Sequence, residues 1–313
     1  MTSAVAASGG SRLGWREISE DLRGALEGEF GGRVVATDGR SGGFSPGLAS
    51  VLTFDDGRRT FVKAVNASRN TFSVDMIRAE SRVLACLPAH VPAPRLRWTY
   101  DDGEWVALAT DAVDGHNPGQ PWTAEDLDRF LSAATTLAES LTPAPINAPG
   151  IWADAEFSSW SRLASDPESA RLAPWIRARM PTLAALDAHW PTATLGVSLM
   201  HGDFRADNVV LTPDGGFVVV DWPSVMTGPS WLDLLCALPS VGMHGGGEPG
   251  EVWARHPFAR TTDADAVNTV LAGFAGMALG RSLQPVPPFL PTIREFQRIQ
   301  GEVALRWLFL RIR

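Results

Sequence analysis

The 313-residue chain has a single lysine, Lys63, and arginine supplies the rest of its 27 basic residues. Acidic residues outnumber basic ones, the formal net charge is −8, and the pI is near 5.3. Proteins that bind nucleic acid generally present clustered positive charge, and this sequence has no basic run. The composition therefore argues against a general nucleic-acid binder and fits an enzyme or a protein with a cationic partner.

Cysteine is almost absent from the sequence. Cys86 and Cys236 each lie inside an apolar segment, RVLACLP and LDLLCALP. Isolated cysteines in such segments are typical of buried thiols rather than of a disulfide or a metal-binding pair. The expected compartment is therefore a reducing one.

Long apolar runs and a leader pattern are also lacking. The first fourteen residues, MTSAVAASGGSRLG, have no charged segment followed by a long apolar one, so they are predicted to form a loose tail. The most apolar long window, AVNTVLAGFAGMALG from Ala266, is too short to cross a bilayer. These features predict a cytoplasmic protein that does not associate with membranes.

Two parts of different character follow one another along the chain. Residues 1–111 combine amphipathic helices with short strands and tight turns, which predicts a small antiparallel sheet. The predicted strands are RVVAT, LASVLTF, TFVKAV, RLRWTY and EWVALAT, and the predicted helices are WREISEDLRGALEGEF and residues 73–87. Residues 112–313 are mostly helical, with one predicted β-hairpin, NVVL and FVVVDW. The sequence therefore predicts an α+β fold of two lobes.

The densest group of polar residues flanks that hairpin. In MHGDFRADNVVL, His201, Asp203 and Asn208 precede the first strand, and Asp221 ends the second. A hairpin returns the end of its second strand to the start of its first, so Asn208 and Asp221 are expected side by side. Amide and carboxylate oxygens suit Mg²⁺ that carries nucleotide phosphates. Taken one at a time, each of these residues is more typical of an ordinary turn or strand end.

The spacing H-x-D-x-x-x-x-N followed by VVVDW resembles the aminoglycoside phosphotransferase and choline kinase family, the small-molecule branch of the protein-kinase-like fold. The resemblance runs from the glycine-rich turn near Ser41 to WLDLL near Trp231. It implies an N-terminal nucleotide-binding lobe, residues 1–111, and a C-terminal catalytic and acceptor-binding lobe, residues 112–313. It also implies that ATP or GTP is the phosphoryl donor and that Mg²⁺ is the cofactor.

The resemblance implies a role for each residue that matches the family's pattern. Asp203 would be the catalytic aspartate, and Asn208 and Asp221 would hold the metal. His201 would brace the catalytic loop, and Asp233 would fasten that loop from below.

The single lysine lies on the third predicted strand, where the fold places a lysine that contacts the α- and β-phosphates. Its expected partner is Glu80 on the following helix. Arg78 and Arg82 flank Glu80 in sequence, so a surface ion pair along that helix is the alternative.

Other candidate residues follow from the same resemblance. The glycine-rich turn would cover the phosphates with Gly42, Gly43, Phe44 and Ser45. The end of the fifth strand would contact adenine through Leu108, Thr110 and Ala112. Taken alone, the glycine cluster is more typical of an ordinary hairpin turn. Arg205 would contact a γ-phosphate or an anionic acceptor, or would be a solvated loop arginine.

The expected activity is transfer of a γ-phosphate to a hydroxyl of a small molecule, such as an aminoglycoside, an amino sugar or an amino alcohol. Residues 240–257 are glycine-rich and are predicted to form a flexible loop beside the acceptor. The first alternative is a catalytically silent nucleotide-binding regulator of the same fold. The second is a helical interaction module that uses the 12 tryptophans as a binding surface, although packing explains these residues more simply.

Overall fold

A computed structural model describes residues 12–40, 46–288 and 290–313. Its N-terminal part contains a five-stranded antiparallel sheet in the order β1-β2-β3-β5-β4. The strands are β1 (Val34–Gly39), β2 (Leu48–Phe54), β3 (Arg59–Asn66), β4 (Leu96–Asp101) and β5 (Trp105–Asp111). β5 is paired on both of its edges, with β3 and with β4. The predicted sheet is therefore confirmed.

Helix α1 (Glu20–Phe30) packs against the sheet through its buried residues Leu22 and Leu26. It begins later than the sequence predicts. The hydroxyl of Ser19 accepts a hydrogen bond from the main-chain N of Leu22, and this cap makes Glu20 the first helical residue. The preceding segment, Trp15–Glu17, forms only a short 3₁₀ turn.

Helix α2 (Thr71–Cys86) connects β3 to β4, and its apolar residues pack with those of β3 and β5. The prediction that Cys86 is buried is wrong, because this residue is exposed at the end of the helix. The buried positions Ile77, Glu80 and Leu84 follow a helical repeat, and position 86 lies off that stripe. Cys236 is partly buried.

The C-terminal part is mainly helical. Its helices are α3 (Ala124–Ser140), α4 (Trp160–Ser165), α5 (Pro174–Arg177), α6 (Met180–Asp187), α7 (Trp190–Ala193), α8 (Leu232–Met243), α9 (Pro249–Arg255), α10 (Phe258–Thr261), α11 (Ala264–Ser282) and α12 (Ile293–Arg311). A continuous apolar core joins them, including α11, which is buried along most of its length. None of the helices in the described ranges is long and apolar enough to cross a membrane.

Two short hairpin-like sheets interrupt the helices. β6 (Ser198–Met200) pairs with β9 (Met226–Gly228), and β7 (Val209–Leu211) pairs with β8 (Phe217–Val219). The β7–β8 hairpin is the predicted one, whereas the β6–β9 pair was not predicted. Together with the five-stranded sheet and the helical part, they confirm the predicted α+β fold.

The segment that leaves β5 ties the two parts together. His116 and Leu211 exchange two main-chain hydrogen bonds of 3.1 and 2.8 Å, so this segment pairs briefly with β7. The side-chain Nδ2 of Asn117 donates to the main-chain oxygens of Asp207 and Val209. The sheet is thereby held at a fixed distance from the residues that flank the β7–β8 hairpin.

Candidate active site

A cleft of about 330 Å³ opens between the sheet and the β7–β8 hairpin. Gly47, Lys63 and Leu108 line it from the sheet, and Asn208 and Asp221 line it from the hairpin. This volume lies within the range of small-molecule sites in proteins. The residues that the sequence singles out in two distant segments therefore meet around one cavity.

Lys63 projects from β3 into this cleft between two carboxylates. Its Nζ lies 2.7 Å from Oε2 of Glu80 and 2.5 Å from Oδ1 of Asp221. The Lys63 side chain is 19% exposed and that of Glu80 is 5% exposed, so the ion pair is not the surface pair of the alternative prediction. Burial lowers the pKa of Lys63, but attraction to Asp221 and Glu80 outweighs it and holds the pKa above its ordinary value. The lysine is therefore charged and fixed in place.

Asp221 follows β8 in a strained backbone conformation. Its φ is 71°, and among the described residues it is the one non-glycine residue with positive φ. Such a conformation costs on the order of 1–3 kcal/mol and is concentrated at functional sites. Burial raises the pKa of Asp221, but attraction to Lys63 outweighs it and leaves the pKa lowered, so the group is an anion.

The hairpin brings Asn208 beside Asp221. The main-chain N of Val220 donates to the main-chain oxygen of Asn208 at 2.9 Å, which places the residue after β8 next to the residue before β7. The side-chain Nδ2 of Asn208 donates to the main-chain O and the Oδ2 of Asp203, at 2.8 and 3.1 Å. Because the amide nitrogen is used in this way, the Oδ1 of Asn208 is oriented away from Asp203.

These two residues suit a divalent metal. Asn208 offers an amide oxygen and Asp221 a carboxylate, and both are hard oxygen donors. In the described ranges, no group of three or more histidine, cysteine, aspartate or glutamate side chains forms a metal site. Mg²⁺ in nucleotide enzymes is usually held by one or two protein groups and by the substrate phosphates, so the donor set fits Mg²⁺ brought with a nucleotide.

Asp203 lies in the loop before β7, where its carboxylate accepts from Asn208, and it is not among the residues that line the cleft. Its side chain is 40% exposed, so an incoming molecule can reach the carboxylate. Loss of solvation inside the loop raises the pKa of Asp203 to about 7. The positive charge of Arg205 opposes this shift, and the negative charges of Asp207 and Asp221 add to it. A carboxylate with a pKa raised toward neutrality is suited to accept a proton.

The loop that contains His201 and Asp203 is braced from inside the core. His201 is fully buried; its ring packs edge-on against Trp222, and Nε2 donates to the main-chain oxygen of Val220 at 3.1 Å. Its Nδ1 accepts from the main-chain N of Asp203, so the two bonds require a neutral ring with the proton on Nε2. Burial lowers the pKa of His201 to about 4, which agrees with a neutral ring.

Asp233, at the start of α8, holds the loop from the other side. Its carboxylate accepts hydrogen bonds from the main-chain N of His201 at 2.7 Å and of Gly202 at 3.0 Å. Burial raises the pKa of Asp233 to about 6, and the two N–H donors oppose that shift. Both residues expected to brace the loop contact it.

Arg205 is not the solvated arginine of the alternative prediction. Its side chain is 13% exposed, with Nε 3.2 Å from Oδ1 of Asp203 and Nη2 3.1 Å from Oδ2 of Asp207. The guanidinium also lies over the ring of Phe296 in α12, 5.6 Å from its centroid. These contacts favour a positioning role, in which Arg205 fixes the carboxylate of Asp203.

Gly202 provides a test of how tightly the loop is packed. Its φ is 80°, and a Cβ added there would lie 2.1 Å from the main-chain oxygen of Ser224. We expect Gly202→Ala to lower the free energy of unfolding by more than the roughly 1–2 kcal/mol that a left-handed alanine costs by itself. It should also displace Asp203 and reduce activity.

The matched control for this variant is Gly215→Ala in the turn between β7 and β8. Gly215 has a φ of 88° and nothing within 4 Å of an added Cβ, so it carries the backbone cost without the overlap. Urea unfolding of both variants measures the difference. Equal losses of stability would contradict the close contact between Gly202 and Ser224.

Two of the three predicted adenine-contacting residues lie at the cleft. Leu108 and Thr110 line it, whereas the cavity lining includes Asp111 and Val113 but not Ala112. Leu108 lies in the paired part of β5, and the main-chain oxygen of Thr110 accepts a hydrogen bond from the hydroxyl of Thr60. Main-chain contacts to a base would therefore come from residues just after β5.

The predicted phosphate-covering residues Gly42, Gly43, Phe44 and Ser45 lie outside the residues that the structure describes. The neighbouring Gly47 is described and lines the cleft. A Cβ on Gly47 would lie 2.2 Å from the main-chain oxygen of Ala64, so this end of β2 approaches β3 more closely than any side chain permits.

Residues 240–257 do not form the predicted flexible loop. Residues 240–243 end α8, and α9 begins at Pro249, so only a short turn joins them. His244 is buried, with its ring Nδ1 2.8 Å from the main-chain oxygen of Ser240. The glycines gave the sequence a loop-like appearance, but some occupy close-packed positions, such as Gly242, whose Cβ would lie 2.7 Å from Pro249, and Gly245 and Gly247 have positive φ in the short turn.

Arg12, Asn117 and Asp207 also line the cleft, and sequence reasoning did not single them out. Asp207 falls within the motif HGDFRADN, so the sequence could have identified it as a candidate. Arg12 and Asn117 reach the cleft through long-range packing and have no local pattern.

The expected loose tail is wrong for Arg12, Leu13 and Gly14, because Leu13 is buried in the core of the sheet.

Comparison with known families identifies relatives of this chain. The profile of the phosphotransferase enzyme family, APH, matches residues 41–267. A search of curated protein sequences gave no significant match.

Solved structures resemble the fold over almost its full length. A thermostable mutant of aminoglycoside phosphotransferase APH(4)-Ia, in complex with ADP and hygromycin B, is 14% identical with a TM-score of 0.62, covering 92% of this chain and 98% of that one. Choline kinase LicA from Streptococcus pneumoniae is 12% identical with a TM-score of 0.64, covering 93% and 98%. The amicoumacin kinase hAmiN, in complex with AMP-PNP, Ca²⁺ and its ligand, is 11% identical with a TM-score of 0.56, covering 92% and 94%.

Proposed function

The chain belongs to the phosphotransferase enzyme family of small-molecule kinases, and from that premise we propose that it transfers the γ-phosphate of ATP or GTP to a hydroxyl of a small acceptor. The observation that carries the proposal is the meeting of Lys63 and Glu80 with Asn208 and Asp221 around one cleft, with the Asp203 carboxylate hydrogen-bonded to Asn208 beside it. Phosphoryl transfer needs few reactive groups and depends on positioning and charge stabilisation. This arrangement supplies both.

Each residue has a distinct part in the proposed reaction. Lys63, held by Glu80, would orient the α- and β-phosphates of the donor. Asp203 would accept a hydrogen bond from the acceptor hydroxyl, orient its oxygen toward the γ-phosphate and take up its proton. Arg205 and Asn208 would keep the Asp203 carboxylate in one position, through the contacts described above.

Asn208 and Asp221 would hold Mg²⁺, which when bound offsets the negative charge of the phosphates. The carboxylate of Asp221 also pairs with Lys63. The negative charge of Asp221 and the strained backbone that directs its side chain support its assignment as a ligand.

The acceptor is proposed to be an aminoglycoside, an amino sugar or an amino alcohol. The relatives of similar fold include a structure with bound hygromycin B, a choline kinase and an amicoumacin kinase. The net charge of −8 adds a modest preference for a cationic acceptor.

A screen of ADP or GDP release tests the proposal. Mg-ATP and Mg-GTP are offered with aminoglycosides, amino sugars, choline-like alcohols and neutral sugars, and release is measured with and without each acceptor. We expect acceptor-dependent release that stops when EDTA removes the metal. Nucleotide binding, measured as a thermal shift, without transfer to any member of the panel would instead favour a silent nucleotide-binding regulator.

A further inference from the structure

The segment Arg12–Gly14 lies against the beginning of β2. The main-chain N of Leu13 donates to the main-chain oxygen of Gly47 at 3.1 Å. The Leu13 side chain is buried and packs in the cluster that contains Leu22 and Leu48. The segment is therefore anchored to the sheet by a hydrogen bond and an apolar side chain.

The anchor directs Arg12 into the cleft. Arg12 lines the cavity together with Gly47, Lys63 and Asp221. Burial lowers the pKa of Arg12 and attraction to Asp221 raises it, and an arginine side chain stays protonated under either influence. Arg12 and Asp221 line the same cavity, so the guanidinium shares the cleft with the proposed metal ligand.

The charges already in the cleft explain why a further cation matters. Lys63 in the cleft is paired with Glu80 and Asp221, and Arg40, which also lines it, is paired with Asp38. A nucleoside triphosphate would bring about four more negative charges. A guanidinium can form two parallel hydrogen bonds to phosphate oxygens, and such charge-assisted pairs are stronger than neutral ones.

We propose that Arg12 is a phosphate-binding residue, carried into the cleft by the N-terminal segment, and that it contacts the terminal phosphates of the donor nucleotide. This inference rests on the proposed function, because it assumes that the cleft binds a nucleoside triphosphate. It assigns nucleotide recognition to a residue that lies before the part of the chain matched by the family profile, residues 41–267.

Calorimetric titration with Mg-ATP, Mg-ADP and AMP tests the proposal without knowledge of the acceptor. For Arg12→Gln we expect Mg-ATP to bind about 10- to 100-fold more weakly, since a charge-assisted hydrogen bond is lost. AMP affinity should stay close to that of the wild type, because AMP lacks the terminal phosphates. Arg12→Lys should restore part of the loss, since it keeps the charge but not the planar fork.

Arg16→Gln is the matched control, because it makes the same change on the exposed 3₁₀ turn of the same segment. It should leave all three affinities and the melting temperature unchanged. Equal Mg-ATP affinity in Arg12→Gln and the wild type would overturn the inference. An equal loss of AMP and ATP affinity with a lowered melting temperature would also overturn it, by showing a structural role. If the wild type binds none of the nucleotides, the proposed function itself fails.

Discussion

Asp203→Asn is expected to lower the turnover number by about 10²- to 10⁴-fold and to leave Mg-ATP affinity nearly unchanged. The amide cannot accept the proton of the acceptor hydroxyl at neutral pH. The change should preserve the fold, because the main-chain N and O of Asp203 keep their hydrogen bonds with His201 and Asn208. Arg205 also keeps its second partner, Asp207.

Steady-state kinetics with a confirmed acceptor, together with calorimetric nucleotide binding, measure the two effects separately. Asp128→Asn is the control, because Asp128 lies exposed on α3 and undergoes the same chemical change. Wild-type turnover in Asp203→Asn would remove Asp203 from the reaction. A parallel loss of nucleotide binding would show that Asp203 acts on the donor rather than on the acceptor.

Lys63→Arg is expected to reduce kcat/KM by about 10²-fold although it keeps the positive charge. Small displacements of a positioned group cost about this much when catalysis depends on alignment. The lysine Nζ sits within 3.0 Å of both Glu80 oxygens and within 2.5 Å of Asp221, in a slot that fits a compact ammonium. A longer, planar guanidinium would push these carboxylates apart.

The charge-conserving change is more informative than removal of the charge. Lys63→Met would leave Glu80 buried without its cation and would destabilise the fold by about 3–5 kcal/mol. A loss of activity in that variant could then come from unfolding rather than from the site. Arg59→Lys, at the exposed start of the same strand, is the matched control and should have wild-type kinetics. If Lys63→Arg has wild-type kcat/KM, the shape of the lysine is irrelevant to the site.

Local geometry explains the parts of the site that sequence could predict. The positions of Asn208 and Asp221 follow from one hairpin with a short turn. Val209 pairs with Val219, and this pairing brings the residue before the first strand close to the residues after the second. The Lys63–Glu80 ion pair joins neighbouring elements, and the family resemblance anticipated it. Their proposed roles in binding and catalysis stay predictions.

Features that depend on distant packing were not predictable in the same way. The contact between Lys63 and Asp221 joins residues 158 positions apart, and no spacing rule covers such a separation. Residues 240–257 looked like a loop because of their glycines, which instead allow close packing around α8 and α9. Residues 173–189, in the part predicted to be mostly helical, are divided into α5 and α6, each with a proline in its first turn.

Mass spectrometry of the acceptor after incubation with Mg-ATP or Mg-GTP tests the central claim most directly. The account predicts a phosphomonoester of one acceptor, formed in equal amount to the nucleoside diphosphate released, in the wild type and the Asp128→Asn control but not in Asp203→Asn. Diphosphate release with no phosphorylated acceptor, or equal product from Asp203→Asn, would contradict it.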